Sequence, residues 1–404
     1  MADLNIKIIK DIISEYIGEE KMIVNIEISK YGENYLSDIF KLDVKVRSKS
    51  GEKEDLDLVA KCSIHDKGLE MAQRTARLIK NEILCYDTII PTLREFRMKY
   101  GFPDFDFITK YIASHCNLKE ENLTESEAVL ILENICAKGY IHVDRHIGYN
   151  LKQSKTILEE IAIFHATGLA MKQIDPELFE IKIKGIVLPR QPPPGDSSGP
   201  SAQLDLFRKL LEPYEEFKDP SKFNRYAEKI KQKILAGEFY NPKPVEPFAT
   251  LIHSDIWCNN IMQVIDDEKI VKNKLLDFQL STVGSPVRDL LFFLISSVKL
   301  EDLTSNFNQL IQYYHTILKN TLQDFKCYSE IFSYENFLLE MQKRAHETFL
   351  QCMYMLTNVI FCPKGKIFDH STAHLVQVED VHPIAKQKIC FLMRQAAKNG
   401  WLEM

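Results

Sequence analysis

The 404-residue chain has no block of lysines or arginines, and its formal net charge is −6. A phosphodiester partner needs a clustered basic surface, so no nucleic acid is expected. Long apolar runs are missing too. The longest, LLFFLI at 290–295, falls far short of the roughly 20 residues of a membrane-spanning helix, which predicts no membrane insertion. The opening stretch MADLNIKIIKDIISEYIG mixes acids with lysines and lacks the apolar centre of a signal peptide. The nine cysteines are odd in number, scattered and without a CxxC pair. That excludes a disulfide frame or a zinc site and predicts reduced thiols in the cytoplasm. Glycine is scarce. The stretch ISKYGENYLSDIFKLDVKV (28–46) holds only Gly32, which excludes a phosphate loop built on three glycines. The sequence leaves the oligomeric state open.

What is present is most informative between 253 and 279, which reads HSDIWCNN, then IMQVIDDEKIVKNK, then LLDFQ. Asp255 is followed five residues later by Asn260, and Asp277 ends a short apolar run. A loop, a β-hairpin and a second loop would bring these three to one cleft. This is the order in which a kinase-like phosphotransferase places a base and two magnesium ligands. In-line phosphoryl transfer needs positioning and charge neutralisation more than covalent help. Asp255 is the candidate base for an attacking hydroxyl. Asn260 and Asp277 offer oxygen donors that suit a hard cation such as Mg2+.

Such a site also needs a lysine on a strand for the phosphates of ATP, and a helix glutamate to hold it. LDLVAKCS (56–63) alternates like a strand and carries Lys61. LIKNEILCYDTIIPTL (78–93) has near-helical apolar spacing and carries Glu82. The hairpin over 28–46 would cover the phosphates. With one glycine, its cradle must come from backbone N–H groups and from polar side chains such as Asn34 and Ser37. AVLILENI (128–135) reads as a compact strand whose exit, Glu133, Asn134 and Ile135, would meet the adenine through main chain.

The pattern predicts an α+β chain of two lobes, with residues 1–134 binding nucleotide and 135–404 carrying catalysis and the acceptor site. Helices are expected at 3–18, 67–90, 151–174, within 201–240 and at 287–298, and strands near 105–112 and 128–133. In the 151–174 helix, Ile157, Leu158, Ile161, Phe164, His165 and Leu169 form an apolar stripe, so His165 reads as a core histidine. RQPPPGDSSGP (190–200) reads as a loop. Asp289, at the start of the 287–298 helix, is placed either to cap it or to hold the catalytic loop.

The segments YGENY, LVAKC, NEILCYDTIIPTL, LILEN, GYIHVDR, LEEIAIFHATGLAMK, HSDIWCNNIM and LLDFQLSTVGSPVRDLLFFL together resemble the ecdysteroid kinase-like family. The resemblance runs from about residue 25 to about residue 350. It implies a protein-kinase-like fold, with a small antiparallel-sheet lobe and a larger, mostly helical lobe, similar to choline kinases and aminoglycoside phosphotransferases. It also implies ATP-dependent phosphorylation of an alcohol, an ecdysteroid hydroxyl in the family's best-known activity. The family usually has glycine where this chain has Ser254, a departure that matters if the position needs a positive φ.

Residues 348–363, TFLQCMYMLTNVIFCP, carry no charge. A cationic acceptor requires carboxylates, or an aromatic cage for a quaternary ammonium. An uncharged helix carrying Met353 and Met355 suits an apolar alcohol such as a steroid, and equally a plain core helix. Two other readings stand beside the small-molecule kinase. A nucleotide-binding pseudokinase is weakened by the presence of all five site residues. A protein kinase is weakened by the missing H-R-D and A-P-E motifs.

Overall fold

The computed structural model describes residues 2–31, 37–64, 69–117, 127–190, 198–241, 243–266, 269–364, 366 and 368–403. Its first part is a five-stranded antiparallel sheet of β1 (Lys21–Lys30), β2 (Asp38–Ser48), β3 (Lys53–Cys62), β4 (Tyr111–Asn117) and β5 (Glu127–Glu133), in the order β1-β2-β3-β5-β4. Helix α1 (Ala2–Ile17) covers one face, burying Ile9, Ile12 and Ile13 against Leu42, Leu58 and Ile131. Helix α2 (Leu69–Leu84) sets Ala76, Ile79 and Ile83 in the same core as Ala128 and Leu130. Strand β5 is therefore buried on both faces, its side chains alternating between two cores. That explains a continuous apolar run where a half-buried strand would alternate.

Two expectations need correction here. The helix expected over 67–90 does not end there. A π turn at Cys85–Ile89 inserts a residue into the helical repeat, and α3 (Ile90–Lys99) continues to pack on the helix of residues 151–174. Pro91 sits in the first turn of α3, where its missing N–H is harmless. The strand expected near 105–112 is displaced to 111–117. Phe105 and Phe107 are instead buried in the main core, and the Phe107 carbonyl accepts from the Leu275 N–H at 2.7 Å. The alternating aromatics there serve burial next to the hairpin of residues 261–275, not a sheet register.

The second part is mostly helical. It holds β6 (Ile141–His142), α4 (Leu151–Ile174), α5 (Pro176–Phe179), α6 (Ser198–Leu211), α7 (Ser221–Leu235), β7 (Thr250–Ile252), β8 (Ile261–Asp266), β9 (Lys269–Leu275) and β10 (Thr282–Gly284). Then come α8 (Val287–Ser297), α9 (Leu300–Asp324), α10 (Tyr334–Arg344), α11 (Phe349–Tyr354) and α12 (Pro383–Lys398). Asn150 caps α4 in a reciprocal box with Gln153. The stripe of α4 is buried as its spacing requires. Gly168 lets this helix lie directly on β7. A Cβ there would stand 2.3 Å from Thr250 Oγ1, while Thr250 Oγ1 donates to the His165 carbonyl at 3.0 Å. The strand that leads into the loop starting at His253 is thus set by a close helix approach.

The 348–363 segment is a short helix followed by a π turn at Met355–Val359. Phe349, Cys352, Met353, Leu356 and Val359 are buried in the core. Tyr354 and Met355 are only partly buried, and burial of the others accounts for much of the lack of charge without an acceptor pocket. The architecture is α+β, a small antiparallel-sheet part followed by a larger, mostly helical part. Among the described residues, no helix is long and apolar enough to cross a membrane.

Candidate active site

The hairpin β8–β9 does what its sequence promised. Ile261 pairs with Leu275, and the Leu276 N–H donates to the Asn260 carbonyl at 2.9 Å. The residues flanking the hairpin, Asn260 and Asp277, are therefore neighbours by register. Asn260 turns its amide NH2 onto Asp255, donating to the carbonyl and to Oδ2, each at 2.9 Å. Its side-chain oxygen is then the atom left for a cation. Asp277 adopts a left-handed conformation, φ 66° and ψ 60°, and its Oδ2 accepts from Gln279 Nε2 at 3.3 Å.

The loop before the hairpin is held from below. Asp289, buried at the start of α8, accepts from the His253 N–H and the Ser254 N–H, both at 2.7 Å. His165 Nε2 lies 3.1 Å from the same carboxylate, and His165 Nδ1 lies 2.7 Å from the Tyr314 hydroxyl. Burial alone would raise the Asp289 carboxyl, but the hydrogen bond from His165 and the nearby donors outweigh it and hold it below its usual range. Asp289 thus holds the loop, and His165 is a satisfied core residue that orients it. His253 is kept neutral by burial. Its Nε2 lies 2.9 Å from the Leu276 carbonyl, and its Nδ1 accepts from the Asp255 N–H at 3.3 Å. It ties the two loops together. Ser254 has φ 71°, so the position does require a positive φ, and a serine bears it.

Lys61 on β3 donates to Glu82 Oε2 and to Asp277 Oδ1, both at 2.6 Å. Burial works against the ammonium, but the carboxylates of Asp277 and Glu82 overcome it and hold its pKa above the usual lysine value. Burial pushes the Glu82 carboxyl up. Burial, then the charge of Asp277, pushes Asp255 up to about 7. A carboxyl in that range suits proton transfer near neutral pH. Lys61, Glu82, Asp255, Asn260 and Asp277 thus belong to one contiguous network. The oxygens of Asn260 and Asp277 are hard donors, and this set fits Mg2+.

Ser37 is buried just before β2; Asn34 lies outside the described residues. At the exit of β5, the Glu133 N–H donates to the Lys110 carbonyl at 3.0 Å and the Asn134 N–H to the Asp57 carbonyl at 2.9 Å. The Asn134 side chain caps the turn at Ile135–Lys138. Two of the three candidate N–H donors are therefore committed, which leaves that of Ile135.

Sequence reasoning missed four residues. Asn81, beside Glu82, donates to the carbonyls of Gln279 and Ser281 at 3.0 and 3.1 Å. Gln351 donates to the Ser254 carbonyl at 2.9 Å. Arg190 donates to the Leu280 carbonyl at 2.6 Å, and Arg288 is buried beside Asp289. Only Arg288 carried a signal, as a charge beside Asp289 at the start of a largely apolar helix.

A family model described as the ecdysteroid kinase-like family matches residues 31–327. A comparison with curated proteins returns no match. Among solved structures, an ADP-bound aminoglycoside phosphotransferase is similar at 15% identity over 88% of this chain and 95% of its own, with a TM-score of 0.33. An ethanolamine kinase from Plasmodium vivax is similar at 12% identity over 90% and 84%, with a TM-score of 0.33. A ternary complex of streptomycin, ATP and another aminoglycoside phosphotransferase is similar at 15% identity over 91% and 96%, with a TM-score of 0.31.

Proposed function

We propose, from the premise that this chain belongs to the ecdysteroid kinase-like family, that it passes the γ-phosphate of ATP to a hydroxyl of an uncharged, largely apolar alcohol, an ecdysteroid first among them. Its membership makes it an ATP-dependent kinase acting on small alcohols. The observation that carries the reading of the site is the convergence of Lys61, Glu82 and Asp277 within 2.6 Å contacts, next to the Asp255–Asn260 pair. In this reading residues 1–134 bind nucleotide and 135–404 carry catalysis and the acceptor. Lys61 holds the phosphates and Glu82 holds Lys61. Ser37 belongs to the phosphate hairpin, and the Glu133–Ile135 connector meets the adenine, with the Ile135 N–H as donor. Asn260 and Asp277 would hold Mg2+, which when bound neutralises phosphate charge. Asp255 accepts the proton of the attacking hydroxyl.

The acceptor is read from charge. The guanidiniums of Arg190 and Arg288 lie close enough to act on each other, and Arg190 acts on Asp255. A cationic acceptor would meet this positive flank, so a neutral alcohol is favoured over choline-like or aminoglycoside substrates. Nine free cysteines support a cytoplasmic location. The test is transfer from γ-labelled ATP to ecdysone and 20-hydroxyecdysone against choline and kanamycin, with Asp255→Asn alongside. Labelling of the ecdysteroids, reduced about 10²–10⁴-fold in Asp255→Asn, is expected. Faster labelling of choline or kanamycin would overturn the steroid acceptor. Bound ATP with no labelled product at all would turn the reading to a pseudokinase.

A further inference from the structure

The segment leading to Arg190 is pinned to the candidate site from three directions. Asn81 Oδ1 accepts from the Leu188 N–H at 2.8 Å, while its NH2 donates to the turn after Asp277. Asn241 accepts from the Arg190 N–H at 2.7 Å and donates to the Arg190 carbonyl at 2.8 Å. The Arg190 side chain then reaches the Leu280 carbonyl, three residues past Asp277, through Nη2 at 2.6 Å. Both its backbone and its guanidinium are therefore fixed in place.

Having been placed so firmly, the guanidinium is left incomplete. Arg190 Nε is buried and has no hydrogen-bond partner, and Arg288, 6% exposed, leaves Nε and Nη1 in the same condition. Among the described residues, neither arginine makes an ion pair. The carboxylates that act on them are already engaged, Asp289 by His165 and two backbone N–H groups, Asp255 by Asn260, and Glu347 by Arg344. Burial, and then the charge of Arg288, brings Arg190 down to about 9. A buried cation with unmade bonds is costly unless an anion arrives to complete it. Glu82 and Asp277 are committed to Lys61, so neither of them supplies that anion.

We propose that Arg190 is a further catalytic residue, donating through Nε to an oxygen of the phosphoryl group in transit, with Arg288 adding a second positive charge at the same spot. This rests on the phosphotransferase reading above. In the step, the acceptor oxygen bonds to the γ-phosphorus while the bond from that phosphorus to the β–γ bridging oxygen breaks. ADP leaves with the electron pair, and the hydroxyl proton passes to Asp255. Negative charge on the three non-bridging oxygens needs fixed donors in a water-poor site, and a preorganised guanidinium supplies them.

The test needs no acceptor. Wild type, Arg190→Lys and Arg190→Gln are titrated with MgADP, alone and with aluminium fluoride as a mimic of the phosphoryl group, and their unliganded melting is recorded. All three should bind MgADP within about threefold of each other. Fluoride should tighten MgADP at least tenfold in wild type, partly in Arg190→Lys and not at all in Arg190→Gln. With an active acceptor, Arg190→Gln should lose about 10²–10³-fold in kcat at unchanged KM for ATP. Full fluoride tightening in Arg190→Gln would overturn the proposal, and a lowered melting temperature with that tightening intact would reduce Arg190 to a strut on Leu280. Absence of tightening in wild type would also overturn it. Absence of MgADP binding in wild type would instead strike the phosphotransferase reading itself.

Discussion

Ser254 stands at φ 71°, with its Oγ buried and without a partner. A left-handed conformation costs a non-glycine residue roughly 1–2 kcal/mol, and glycine gives back part of that in unfolded-chain entropy. Ser254→Gly should therefore keep or raise stability, by about 1 kcal/mol or less, and retain activity. Ser254→Val, with a branched Cβ at the same φ, should lower both. Denaturant melts and turnover of the two variants check this, and a destabilised glycine variant would contradict it. Lys61 and Glu82, 2.6 Å apart and buried, should behave as one unit. Removing Glu82 leaves Lys61 free to drift from the phosphates, so the double variant should lose little beyond Lys61→Ala. A double-mutant cycle on kcat/KM should show coupling of about 0.5–3 kcal/mol, and additive losses would show two independent residues.

Helix α4 carries a titratable group that the site does not use. Glu160 Oε2 is buried without a partner, and burial pushes this carboxyl up to about 8 from an ordinary 4.5. The folded state then binds more protons than the unfolded state between those values. Stability should fall as pH rises through that window. Glu160→Gln removes the proton exchange, so its advantage over wild type should grow from pH 5 to pH 8, by up to about 1.4 kcal/mol per pH unit at the steepest point. Urea melts at several pH values measure it, and a constant difference would show the carboxyl to be solvated. The same helix shows what an element contributes beyond its own burial. Gly168 admits β7, and β7 delivers the loop that starts at His253. The apolar stripe was legible, since helical spacing is local. The contact at Gly168 was not, because nothing near residue 168 reports what lies across from it.

At the scale of the whole molecule, the contact between Lys61 on the sheet and Asp277 in the helical part joins residues 216 apart at 2.6 Å. A carboxylate that acts through a cation should show it in a linkage experiment. Asp277→Ala should weaken MgATP well beyond any effect on magnesium-free ATP, because the lost interaction runs through the metal's charge. Calorimetry with and without magnesium measures both, and equal losses would count against metal ligation.

The stretch from 253 to 279 made most of the candidate site readable in advance. Its loop, hairpin and second loop are contiguous, and a hairpin's register brings its flanks together whatever the rest of the chain does. The strand of Lys61, the helix of Glu82 and the α4 stripe were legible for a related reason: side-chain periodicity follows from backbone geometry alone. Other features depend on what packs against what, which sequence spacing does not encode. Only the tertiary structure made Asp289 a clamp, made Ser254 a left-handed residue, and set most of the apolar side chains of the uncharged 348–363 stretch in the core. Only it brought Arg190, 65 residues before Asp255 in the chain, to the turn after Asp277. An unmade hydrogen bond in a buried guanidinium exists only once the surrounding elements have closed over it.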